Sequence, residues 1–219
     1  MSPGMENHTK NVTLVLGGAQ SGKSYYAQQL AAKFERVTFI ATARPTDPEM
    51  RRKIARHRRE RPVAWRTIEA PLDVHQAIRA ESQEAEVILV DCLTVYLAHV
   101  MGVRKSKSNP QESIEQVCDA IRESKASVIV VSNEVGSGVV PPYRSGRIYR
   151  DLLGQLNQKI AQIADEVVLM VAGIPITVKD AKIPGRVADV RLAGPPADQS
   201  AASANGARRR NSRAQGTLR

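Results

Sequence analysis

Eight consecutive residues, Gly17-Gly18-Ala19-Gln20-Ser21-Gly22-Lys23-Ser24, carry the spacing GxxxxGK[ST]. That spacing suits phosphate chemistry. Gly17 and Gly22 permit backbone geometry that a side chain would obstruct. Successive N–H groups can then wrap phosphate oxygens at the mouth of a helix. Lys23 is placed to reach the β- and γ-phosphates, and the Ser24 hydroxyl to hold Mg²⁺. A glycine-rich strand–helix turn without a ligand is the plain alternative. The context argues against it: an apolar run (Val12–Leu16) leads in and a helical segment (Tyr25–Phe34) leads out.

Two further positions offer chemistry. Val87-Ile88-Leu89-Val90-Asp91 is an apolar run ending in a carboxylate. Asp91 is therefore a candidate for positioning Mg²⁺, with a polar strand end or helix cap as the plain reading. The second is His57. Thr46-Asp47-Pro48-Glu49 reads as a helix start, either with Asp47 as N-cap and Pro48 at the first helical position or as a Thr46–Glu49 capping box. Met50, Ile54 and His57 then share one face, among Arg52, Lys53, Arg56, Arg58, Arg59 and Arg61. Positive neighbours favour the neutral imidazole, which is a nucleophile towards phosphorus. Guanidinium groups bind triphosphate oxygens and offset the charge of a departing pyrophosphate. A solvated basic helix with an incidental histidine is the competing account.

The elements that must position these groups follow from pattern. Val12–Leu16, Val37–Ala41, Val87–Val90, Ser127–Val131 and Val167–Val171 are short apolar runs without alternation, as in strands covered on both faces. Ser24–Phe34, Ser113–Lys125 and Tyr149–Ala164 have helical spacing. Strand–helix alternation predicts an α/β fold of the P-loop NTPase (RecA-like) class. Its sheet is expected to be mostly parallel with helices on both faces, and one edge strand is free to be antiparallel.

Composition narrows the class. The chain has 219 residues, 42% of them hydrophobic, enough for one α/β domain with a core. Its formal charge is +10. From Lys182 onward eight Lys or Arg face only Asp189 and Asp198, so +6 of that charge belongs to a tail. The expected organisation is an N-terminal extension (1–11), a domain (12–180) and a disordered Arg-rich tail (185–219). With aromatics at 4% there are few base-stacking platforms, and no nucleic acid is expected. No run is long enough for a membrane span. Cys92 and Cys118 form no ligand pattern and read as reduced thiols of a cytoplasmic protein.

In combination these blocks resemble a known family, the bifunctional adenosylcobinamide kinase/adenosylcobinamide-phosphate guanylyltransferases of cobalamin biosynthesis. The resemblance rests on GGAQSGKS, FIATA (Phe39–Ala43), DPEM with RHRRERP (Asp47–Met50, Arg56–Pro62), WRTIE (Trp65–Glu69), the strand ending at Asp91, SNEVGSGVVP (Ser132–Pro141) and LNQKIAQIADEVVLMVAGIP (Leu156–Pro175). It implies phosphorylation of adenosylcobinamide with ATP or GTP. GMP then passes from GTP to adenosylcobinamide phosphate through a guanylylated histidine, giving adenosyl-GDP-cobinamide. His57 matches that histidine in His57-Arg58-Arg59-Glu60-Arg61-Pro62. Nucleotide contacts are implied at Gly17–Ser24, Ala41, Thr42, Ala43, Arg58, Arg59, Glu60, Arg61, Glu69 and Asp91. By this reading Glu69 and Asp91 meet guanine or ribose, which competes with Mg²⁺ for Asp91. Gln20 stands where the family often has Arg, and Asp91 where it can have Glu. A homo-oligomer, such as a trimer, is also implied. Two other readings remain: a plain small-molecule P-loop kinase without nucleotidyl transfer, and a nucleic-acid-associated NTPase working through the tail.

Overall fold

The computed structural model describes residues 10–59, 61–102 and 109–182. The proposed tail, nearly all of the N-terminal extension, and Glu60 lie outside the described residues. In chain order the elements are β1 (Val12–Gly17), α1 (Lys23–Ala31), β2 (Val37–Ala41), α2 (Pro48–Arg59), β3 (Arg66–Glu69), α3 (Val74–Glu81), β4 (Val87–Asp91), α4 (Leu93–Gly102), α5 (Pro110–Glu123), β5 (Ser127–Val131), α6 (Arg144–Ile163), β6 (Glu166–Val171) and β7 (Ile174–Asp180). Asn11 already belongs to the sheet: its carbonyl accepts from Val128 N at 2.9 Å.

One seven-stranded sheet runs β3-β2-β4-β5-β1-β6-β7. Every pairing is parallel except β6–β7, which is antiparallel at the edge. The central strands β2, β4 and β5 are buried except at Ala41 and Asp91, their half-buried ends, because helices cover both faces. One apolar layer joins the sheet to α3, α4, α5 and α6, with Ile78, Leu97, Ile121 and Leu153 fully buried. The other joins it to α1 through Ala27 and Ala31 against Val15, Phe39, Leu89 and Val131.

Six elements depart from the sequence expectation. β3 and β7 are strands that apolar runs did not mark: β3 is almost wholly exposed and β7 carries Pro175. An edge strand needs no continuous apolar run because one side and one rim face solvent. α3 buries Val74, Ala77, Ile78 and Glu81 at helical spacing but is only eight residues long, whereas α4 is apolar on most sides and shows no amphipathic stripe. α6 also begins at Arg144, five residues before the expected start, and α5 at Pro110, three residues before.

Candidate active site

β1 delivers the glycine loop and α1 takes the chain away from it. A Cβ on Gly17 would lie 2.6 Å from Met170 O and 2.6 Å from Ser21 Oγ, so only glycine lets the loop leave the sheet against β6. Gly22 has φ +92° and is the N-cap of α1, a left-handed position that glycine adopts without cost. Gln20 also takes a left-handed φ of 58°, and it is exposed with Gly18 and Ala19 at the loop's crest. The turn between β6 and β7 braces the loop from behind, Gly173 N donating to Ser21 O at 3.1 Å. Sequence reasoning missed this brace. Its signal is Ala172-Gly173, both at positive φ, between two apolar runs. Ser21 Oγ is buried with no hydrogen-bond partner among the described residues.

Lys23 opens α1, is buried, and donates to Gly18 O at 2.6 Å. Burial holds its pKa below the usual lysine value; Cys92 and Asp91 oppose that and Lys53 adds to it. Asp91 ends β4, two strands from β1 with β5 between them. Burial raises its pKa above the usual carboxylate value. A hydrogen bond from the Ser24 hydroxyl, then the charges of His57, Lys23 and Arg61, act the other way. Asp91 is thus the meeting point of the glycine loop and the basic helix. Next to it, burial pushes the Cys92 thiol up to about 11, with Asp91 adding to the shift.

Ser24 and Asp91 are two hard oxygen donors side by side, a set that fits Mg²⁺ when phosphate oxygens and water complete its shell. Among the described residues no group of three His, Cys, Asp or Glu could hold a metal by itself.

α2 starts as the first of the two sequence options has it. Asp47 Oδ1 accepts from Met50 N at 2.8 Å, which makes Asp47 the N-cap and Pro48 the first helical residue. Glu49 lies in the first turn and Arg56, His57, Arg58 and Arg59 in the last, the order the helix dipole favours. Met50, Ile54 and His57 are half-buried and every other described residue of the helix is exposed. The imidazole therefore sits on the inward face.

Arg61 is half-buried. Its guanidinium carbon lies 3.9 Å from the Phe39 ring centroid, its Nε donates to His57 O at 3.0 Å, and its Nη1 donates to Thr67 Oγ1 at 3.2 Å. Burial lowers its pKa, while Asp91 and Glu69 raise it and Arg58 lowers it. Arg58 pairs with Glu69. Arg59 instead turns back to Ala55 O at 3.3 Å and is exposed; the structure does not bring it to the cluster.

Ala41 links the two carboxylates by register, pairing with Glu69 on one side and Asp91 on the other. Thr42 is wholly buried. Its Oγ1 donates to Cys92 O and accepts from Cys92 N, both at 2.8 Å, so it fixes the β4–α4 junction. Ala43 is half-buried just beyond. A cleft of about 470 Å³ is lined by Arg58, Arg61, Trp65, Thr67 and Glu69 among others, none of them from the glycine loop.

A glycine loop on β1, a carboxylate on the next strand but one, and a third strand between them define a P-loop NTPase, a nucleotide-binding class. The chain belongs to the cobinamide kinase / cobinamide phosphate guanyltransferase family, which matches residues 13–178. It is 42% identical over 167 residues to the bifunctional adenosylcobalamin biosynthesis protein CobP of Pseudomonas aeruginosa, covering 76% of this chain and 96% of that one. It is 36% identical over 178 residues to the bifunctional adenosylcobalamin biosynthesis protein CobU of Escherichia coli, covering 76% and 98%. Among solved structures, the RadB recombinase superposes with a TM-score of 0.42 at 15% identity, over 73% of each chain. Among the described residues no helix is long and apolar enough to cross a membrane.

Proposed function

We infer that this chain phosphorylates the side-chain hydroxyl of adenosylcobinamide with ATP or GTP and then moves GMP from GTP onto the new phosphate through His57. One observation carries the reading. His57 is half-buried on the inward face of α2, near Asp91, and Asp91 is hydrogen-bonded by Ser24 of the glycine loop. A nucleophile candidate and a triphosphate grip thus address one place.

In the first transfer the acceptor oxygen attacks the γ-phosphorus while Lys23 and the loop N–H groups offset charge on the phosphates. Mg²⁺, held through Ser24 and Asp91, supplies further charge neutralisation when bound. In the second transfer a His57 ring nitrogen attacks the α-phosphorus and pyrophosphate leaves, with Arg61 and Arg58 close by to bind its oxygens. The cobinamide phosphate oxygen then attacks the phosphoramidate and frees the imidazole. The cleft beside Arg58 and Arg61 suits the purine: Trp65 offers a flat face and the Glu69 carboxylate can accept guanine N1–H and N2–H. This division leaves Asp91 to the phosphate and metal end.

Incubation with α-³²P-GTP tests the reading. Acid-labile, alkali-stable label is expected on the wild type and not on His57→Ala. An unlabelled wild type would leave only a kinase.

A further inference from the structure

The segment Ser132–Pro141 after β5 takes no part in these steps, yet it is clamped from three elements. Ser132 N donates to Val15 O at 3.0 Å and Glu134 N to Gly17 O at 3.1 Å. Asn133 N donates to Thr94 Oγ1 of α4 at 2.8 Å, and Asn157 Nδ2 of α6 donates to Asn133 O at 3.0 Å. The backbone therefore follows β1 up to the first loop glycine, and Glu134 stands beside the glycine loop.

Its carboxylate is oriented as well. Oε1 accepts from Gly136 N at 2.5 Å and Ser137 N at 3.2 Å. A Cβ on Gly136 would lie 2.8 Å from Oε1, so glycine is what lets the carboxylate sit under this turn. Both bonds fall on one oxygen, and Oε2 has no hydrogen bond among the described residues. The other two carboxylates of the site are engaged, Asp91 by Ser24 and Glu69 by Arg58. Just past Glu134 the chain exposes apolar surface: Val139 is 94% exposed, Val140 56% and Tyr143 76%. Such a lip suits a large, partly apolar acceptor arriving on this side of the loop.

We propose that Glu134 is the general base of the hydroxyl phosphorylation. As the acceptor oxygen bonds to the γ-phosphorus, its proton passes to Glu134 Oε2. The bond from the γ-phosphorus to the bridging oxygen breaks, and its electron pair stays with the departing nucleoside diphosphate. The protonated glutamate later returns the proton to water. The proposal rests on the kinase half of the reading above and adds its proton acceptor.

Glu134→Gln in the full-length chain tests it, because the amide oxygen still accepts from Gly136 and Ser137 while the proton acceptor is gone. The kinase kcat with ATP is expected to fall by about 10²-fold or more, with the nucleotide KM nearly unchanged. Label from α-³²P-GTP on His57, which uses no acceptor hydroxyl, is expected to stay at the wild-type level. Glu134→Asp, a base with shorter reach, should fall between the two. A Gln variant with wild-type kcat overturns the proposal alone. A variant that loses kinase and label together also overturns it, since the residue would then only hold the loop. A wild type that labels but never phosphorylates cobinamide removes the kinase reading and the proposal with it.

Discussion

At Asp91 stability and function make opposite demands. Asp91 is costly to ionise where it sits, since burial outweighs the Ser24 hydrogen bond and the charges of His57, Lys23 and Arg61. A carboxyl whose pKa is raised on folding lowers stability as pH climbs above its unfolded value, because the folded state holds the proton longer. Asp91→Asn should therefore melt higher than wild type at pH 7, with the gap closing as pH falls below the ordinary value of 3.8. The same variant should bind Mg-nucleotide more weakly in calorimetry, a trade expected where a strained charge serves function. Lys23→Ala should lower both transfers by about 10²–10³-fold, the usual effect of removing one aimed charge-stabilising donor. The positions of the glycine loop, Lys23 and Ser24 were legible in the sequence because each has a fixed place in a strand–loop–helix motif, and that of Asp91 because it closes an apolar run. The Gly173–Ser21 brace and the seating of Glu134 N on Gly17 O were not, since both join residues far apart in the chain.

The basic helix is lightly attached. α2 has no buried residue, and only Met50, Ile54 and His57 turn inward. Elements with few buried apolar contacts open most easily. Amide exchange over residues 48–59 should be fast in the free protein and slow when GTP is bound. Its start depends on Asp47, whose pKa is held low chiefly by the Met50 N–H. A carboxyl lowered on folding stabilises above its unfolded pKa, here the ordinary 3.8, and that gain fades as pH drops through the folded value. Asp47→Ala should therefore slow guanylylation of His57 more than it slows the kinase, read as separate rates on one preparation. The inward face and the histidine position could be read from the spacing of Met50, Ile54 and His57, while the sequence left two helix starts open and the Met50 N–H to Asp47 bond selects one. β3 could not: Arg66–Glu69 has one apolar residue, and it becomes a strand because β2 offers it an unpaired edge.

Across the whole molecule, stability rests in the two apolar layers. Leu153 on α6 is fully buried, and Leu153→Ala should cost about 2–5 kcal/mol in denaturant unfolding. If residues 185–219 lie outside the catalytic domain, as their composition suggests, deleting them should leave cobinamide turnover unchanged. A DNA-stimulated ATPase that vanished with the tail, together with that turnover, would contradict the assignment. The order β3-β2-β4-β5-β1-β6-β7 has one more effect. The loop and its partner carboxylate are both translated by residue 91, but the strand that spaces them is residues 127–131. Until that strand leaves the ribosome, no hydrogen-bonded ladder holds β1 and β4 two steps apart, roughly 9–10 Å. A nascent chain halted before residue 127 would therefore carry every phosphate ligand named for the glycine loop and still fail to retain GTP.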